Sequence, residues 1–116
     1  MMRVVTESDA DGMFFVEAEE KYQPIMDLAQ EKKLPVISIA PGMAERGALL
    51  VMETSPEEQG TLLAEMAKQL IDGAFPEHLP VAAPRESGVV INLKSAQQCG
   101  LQVPFDVLSQ ATRIIR

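Results

Sequence analysis

The sequence predicts a single α/β domain over residues 1–116, with a mostly parallel open sheet of about four strands flanked by helices. Three observations predict it. Short apolar runs, Met13-Phe14-Phe15-Val16 and Val89-Val90-Ile91, have the composition of strands buried on both faces. Between the runs lie amphipathic stretches with apolar residues three and four apart, as helices covering a sheet require. At 116 residues and 47% hydrophobic content, the chain can bury a core and is not disordered.

Residues 1–8 read as a lead-in, and Met1-Met2 fits an added start. The first strand, 13–16, follows Asp11-Gly12. A helix is expected over 21–33, with Pro24 in its first turn and Ile25, Leu28 and Ala29 as its apolar stripe. Residues 34–39 form the second strand, Ala40-Pro41-Gly42 punctuates it, and 48–52 form the third. Ser55 can cap the next helix, Pro56 suits its first position, and Glu58 stands where a capping-box acid belongs.

In that helix Leu62, Leu63, Met66, Ala67, Leu70 and Ile71 share one face, and Gly73 ends it. Residues 74–88 carry three of the eight prolines and read as an extended crossing. The strand at 89–93 breaks into a short helix capped by Asn92, stopped by Gly100 and barred from continuing by Pro104. A final helix is expected near 105–113, within a C-terminal helical segment 105–116. The expected core comprises Phe14, Val16, Ile25, Leu28, Val36, Ile37, Leu49, Val51, Leu63, Met66, Leu70, Val90, Ile91 and Leu93.

Seventeen acidic against ten basic residues give a net charge of −7, which disfavours nucleic acid and anionic membrane surfaces as partners. No apolar run approaches the ~18–20 residues needed to span a bilayer. Residues 1–20 are acidic and lack an apolar segment, so no signal peptide is expected in this chain. Cys99, alone, excludes an intramolecular disulfide. Its apolar neighbours on the short helix suggest a buried, inert thiol.

Several motifs together resemble a known family. The end Val89-Val90-Ile91-Asn92-Leu93-Lys94-Ser95-Ala96 through Gly100-Leu101 and Pro104 is similar to an "INLK-x-A-x-x-x-G-L-x-x-P" ending. Leu34-Pro35-Val36-Ile37 with Arg46-Gly47-Ala48-Leu49, Gly60 with Glu65-Met66-Ala67 and Leu70-Ile71-Asp72-Gly73, and Leu79-Pro80-Val81 extend the match over about residues 11–112. The set resembles the TrpX-like family of ABC-type substrate-binding proteins, extracytoplasmic receptors that feed small solutes to an importer. That resemblance implies one lobe of a type I periplasmic-binding-protein fold, and specifically the second of two lobes that close on a ligand. It also implies a membrane permease as partner, a missing first lobe or second copy of the chain, a periplasmic location (cytoplasmic if the chain stands free), and no enzymatic activity.

In open α/β sheets, ligands sit beyond the carboxyl ends of the strands. The loops at 17–22, 38–46 and 53–57 qualify. Where the family carries a Thr/Asp/Asn-type run, a Ser-Asp pair and a Tyr-Gly-x-Asp-Tyr-like stretch, this chain has Glu17-Ala18-Glu19-Glu20, Ile39-Ala40 and Met52-Glu53-Thr54-Ser55-Pro56. The candidate ligand-binding residues are therefore Ser38, Glu17, Glu19, Thr54 and Ser55. Ser55 as a helix cap, Ser38 as a strand-end hydroxyl and the glutamates as a solvated first turn are the alternative roles.

Asp9 and Asp11 suggest a receiver-type acidic pocket, but no acceptor Asp ends a strand. His78, between Pro76 and Pro80, has no metal-spaced partners except Glu77. Neither glycine pair fits a phosphate loop, and no metal or cofactor is expected. The function that the family resemblance implies is binding of an amino-acid-like solute or related metabolite. Scarce aromatics, 4% of residues, weaken aromatic solutes as the class. The alternative is an interaction or dimerisation domain of the same fold that has lost its ligand. Ile39, Met43, Leu50 and Met52 are the apolar residues expected to lack cover and to favour a homodimer.

Overall fold

Five short strands make one sheet in the computed structural model, which describes residues 10–17, 19–85 and 87–116. The lead-in 1–8 and Asp9 lie outside the described residues. The strands are β1 (Met13–Phe15), β2 (Val36–Ser38), β3 (Leu50–Thr54), β4 (Ser87–Asn92) and β5 (Arg113–Ile115), and they lie in the sheet in chain order. The β1–β2, β2–β3 and β4–β5 pairs are parallel. Four helices accompany them: α1 (Gln23–Glu31), α2 (Pro56–Ile71), α3 (Leu93–Gln98) and α4 (Phe105–Ser109).

The described chain divides into two compact units. One contains the residues up to Glu53 together with Val89–Arg116, and the other is Thr54–Gly88. In the first, α1 places Ile25, Met26 and Ala29 in a core with Val36, Ala40, Met43, Ala44, Ala48, Val51 and Val90. Register explains the other face. Phe14 pairs with Ile37, and Ile37 with Leu50, so these three share the side opposite Val36 and Ser38. Of the strand runs expected to be covered on both faces, the β1 run is open on one, whereas Val90 and Ile91 of β4 are both buried. Phe14 is 61% exposed, and Val16 and Ile37 are also open, contrary to their place in the expected core.

Helix ends follow local chemistry. After α1 the amide of Leu34 donates to Ala29 O (2.8 Å) and that of Lys33 to Gln30 O (3.1 Å), with Lys33 left-handed at φ 56°. That is a Schellman ending with lysine in the place usually held by glycine. Gly73 and Gly100 fill the same place after α2 and α3, at φ 103° and 72°. The Asn92 side chain accepts from Ser95 N (3.0 Å), capping α3 as expected, and donates to Ala44 O (2.8 Å) from a buried position.

The C-terminal segment differs from the expected helix over 105–116. Helix α4 stops at Ser109 and residues 113–115 form β5. Thr112 N donates to Val89 O (2.8 Å), and Ile114 and Ile115 pair with Ile91 and Asn92. Partial cover of both isoleucines beside a long neighbouring strand outweighs the helical reading of three residues.

In the second unit, α2 begins as expected. Ser55 Oγ accepts from Glu58 N (3.2 Å) and donates to Glu57 Oε2 (3.1 Å), while the Glu58 carboxylate accepts from Arg85 N (2.7 Å). Yet α2 contains no buried residue. Leu63, at 68% exposed, and Leu70 do not join a core, which corrects the expectation for both. The crossing at 74–88 holds a single 3-10 turn, Pro76–His78, before β4 begins at Ser87.

Candidate functional site

Parallel strands end together, and the loop leaving β1 shows what the carboxyl edge offers. Glu17 lies two residues past β1, and a 3-10 turn, Glu20–Tyr22, then leads into α1. That turn brings Tyr22 back over the strand end. Its Oη donates to Glu17 Oε2 (3.2 Å), and its ring meets Phe15 edge-on with centroids 6.2 Å apart. Residues 13–17, Tyr22 and Ile25 bound an open cavity of about 500 Å³. Its walls are apolar or aromatic apart from the carboxylate and the phenol.

Glu19 is engaged differently. It pairs with the Lys21 ammonium at 2.8 Å, and that ammonium also lies 5.0 Å from the Tyr22 ring centroid. Bonding to Glu19, then contact with Tyr22, raises the Lys21 pKa above its ordinary value. Ser38 lies at the end of β2 and is fully buried. Its hydroxyl donates to Phe15 O (2.7 Å) and accepts from Ala40 N (3.0 Å), tying the ends of β1 and β2 together. Both hydrogen-bonding roles of that hydroxyl therefore serve the fold.

Thr54 and Ser55 belong to the second unit. Thr54 Oγ1 accepts from Gln59 Nε2 (2.6 Å), and Ser55 caps α2. Glu17 faces the cavity, Glu19 is ion-paired, and three hydroxyls are hydrogen-bonded within their own units. Tyr22 was missing from the sequence-derived set because residues 21–33 read as one continuous helix. The signal present was the chain's single tyrosine standing five residues after Glu17.

Cys99 is half-buried, and burial pushes its thiol pKa up, which keeps it protonated near neutrality. His78 is exposed on its 3-10 turn, 3.7 Å from Glu77, and meets Phe75 edge-on. A smaller apolar cavity of about 200 Å³ lies in the first unit among Leu49, Leu50, Ile91, residues 101–104 and Val107. Among the residues expected to lack cover, Ile39 and Met52 are exposed and Leu50 is half-buried. Met43 is buried at 1% exposed, because the turn at 40–47 folds it into the core.

Solved structures with this fold are larger. A conserved domain protein from Vibrio cholerae O1 biovar El Tor is 25% identical with a TM-score of 0.77, over 97% of this chain and 38% of that one. An ABC domain from Streptococcus pneumoniae, in complex with L-Trp, is 28% identical with a TM-score of 0.76, over 97% and 39% respectively. A substrate binding protein with adhesive properties from Clostridium difficile, in its ligand-free open form, shares the fold at 22% identity and a TM-score of 0.65, over 99% and 41%. This chain therefore spans about two fifths of the length of the structures it matches. No curated protein sequence matches it. The family profile described as ABC transporter substrate binding protein matches residues 7–115, nearly the whole chain, and the chain belongs to that family.

Proposed function

We propose that this chain is a ligand-binding lobe of the solute-binding component of an ABC importer. In this reading it takes a small amino-acid-like solute or related metabolite, passes it to a membrane permease, works outside the cytoplasm and catalyses no reaction. The observation that carries the reading is the cavity at the carboxyl end of β1, where the parallel sheet presents a carboxylate and a phenol beside apolar walls. The family and the neighbour holding L-Trp support it. Glu17 is the first contact proposed, with Glu19 beside it; Ser38 and Ser55 would donate only by exchanging their present hydrogen bonds, whereas the Thr54 hydroxyl accepts from Gln59 and keeps its own proton to donate. A two-lobed receptor buries its solute between lobes, so the remaining contacts would come from a first lobe or a second copy of the chain.

Thermal-shift screening of amino acids and related metabolites against the 116-residue chain tests this. Selective stabilisation by one compound class is the expected result, and a flat response across the panel would defeat it. The alternative, an interaction or dimerisation domain without a ligand, draws on the engaged hydroxyls and on exposed Ile39 and Met52. Light scattering at micromolar concentration discriminates it. A 12.7 kDa monomer at low and raised salt would end its homodimer form, and specific stabilisation in the metabolite screen would count against the rest.

A further inference from the structure

Resting on the solute-binding reading, we infer the class of solute: an apolar or aromatic body carrying a protonated primary amine, with no requirement for a carboxylate. Among the described residues, Glu17 is the only charged one lining the cavity, and neither Lys nor Arg lines it. Tyr22 Oη donates to Oε2 of Glu17, which orients the carboxylate and leaves Oε1 for another donor. An ammonium supplies three donors and a charge-assisted bond to that oxygen.

The basic side chain beside Tyr22 is already engaged. Lys21 is paired with Glu19 at 2.8 Å, and its ammonium stands over the Tyr22 ring at 5.0 Å. The same contact shows that this ring accepts a primary ammonium, as aromatic faces do. Phe14, Phe15, Val16 and Ile25 provide the apolar wall for the solute's body. A solute carboxylate would instead meet the Glu17 carboxylate, which Lys21, paired with Glu19 and outside the cavity lining, offsets only in part, so an anion is disfavoured and a zwitterion keeps its carboxylate in water at the mouth. The cavity is open and Glu17 is exposed, so the discrimination is moderate in size and falls with added salt.

The test is calorimetric titration of the whole chain, near neutral pH and at low salt, with phenethylamine, phenylalanine and 3-phenylpropionate. Phenethylamine is expected to bind about tenfold more tightly than phenylalanine, with 3-phenylpropionate weakest. Glu17→Gln should remove that preference while leaving the thermal melting point unchanged, because the side chain is exposed. Tyr22→Phe should reduce it less, and Glu57→Gln, in the other unit, should leave it intact. Equal binding of the amine and phenylalanine, or tighter binding of either carboxylate, would overturn the class assigned while leaving the solute-binding reading standing. Failure of all three probes, together with a flat metabolite screen, would overturn both.

Discussion

The two units of this chain both carry an amphipathic helix and end in different states. The first, which contains β1, β2 and α1, sinks Met26, Val36, Val51 and Val90 below 3% exposure. The second contains the longest helix, with an apolar face as rich as any in the sequence, and none of its residues is buried. Amphipathic periodicity specifies which face a helix would bury, and a partner surface decides whether it does. Stability in this molecule is therefore expected to reside in the first unit, while the second opens at lower cost.

The sharpest way to break that contrast is to truncate one apolar residue in each unit. Met26→Ala, at a site 1% exposed, should lower unfolding free energy by about 3 kcal/mol, whereas Leu63→Ala should stay within about 0.5 kcal/mol. Urea denaturation measures both, and equal losses would refute the contrast. Hydrogen exchange adds detail: amides of α2 should exchange well before those of Val51 and Ile91.

The helix caps give the next largest difference. Asn92→Ala removes a buried cap and strands Ala44 O, costing about 2–3 kcal/mol, while Ser55→Ala at the half-buried cap of α2 should cost about 1 kcal/mol. Comparable urea midpoints for the two variants would contradict this ordering. Of opposite sign is Lys33→Gly. Relieving a left-handed lysine should stabilise the first unit by about 0.5–1 kcal/mol, and any destabilisation would show that the lysine stem contributes more than its backbone costs.

Smallest is the ion pair at the end of the sheet. Bonding to Arg113 holds the Glu45 carboxyl below the usual carboxylate range. A depressed folded-state pKa adds stability above the unfolded value, and that increment is lost as pH falls through the folded one. Both side chains are about half exposed, so solvent keeps the effect under about 1 kcal/mol. The stability gap between the native chain and Glu45→Gln should close as the solution is acidified toward pH 3. A gap that stayed constant would rule out this pair as its source.

Much of the fold was legible because it is written in local chemistry. Ser55-Pro56, Asn92, Gly73 and Gly100 act on backbone groups a few residues away, and each does what its type predicts. Burial was harder to read. Phe14 and Ile37 are as apolar as Val36, and only pairing register separates their faces. Lys33 gave no glycine to mark the end of α1, and β5 depends on contacts with β4 that three residues cannot announce. At the candidate site, the loop containing Glu17 could be located from strand-end logic. Tyr22 falls in the same 17–22 loop, but its return over the strand end could not be read, because a 3-10 turn rather than the expected helix start produces it.

The place where Thr54–Gly88 leaves and rejoins the sheet has a consequence for engineering. Strands β3 and β4 are neighbours, and Asn92 N donates to Leu49 O at 2.9 Å, so the first unit is continuous in space across the point where the sequence is interrupted. Loop-closure entropy rises only by about 0.6 kcal/mol for each doubling of loop length, so the size of the excursion matters little to the sheet. The segment therefore resembles a cassette. Replacing it with a short polar linker should yield a miniature that keeps the β1 cavity, whose lining lies wholly in the first unit. Foreign segments of quite different length could be inserted at the same two junctions.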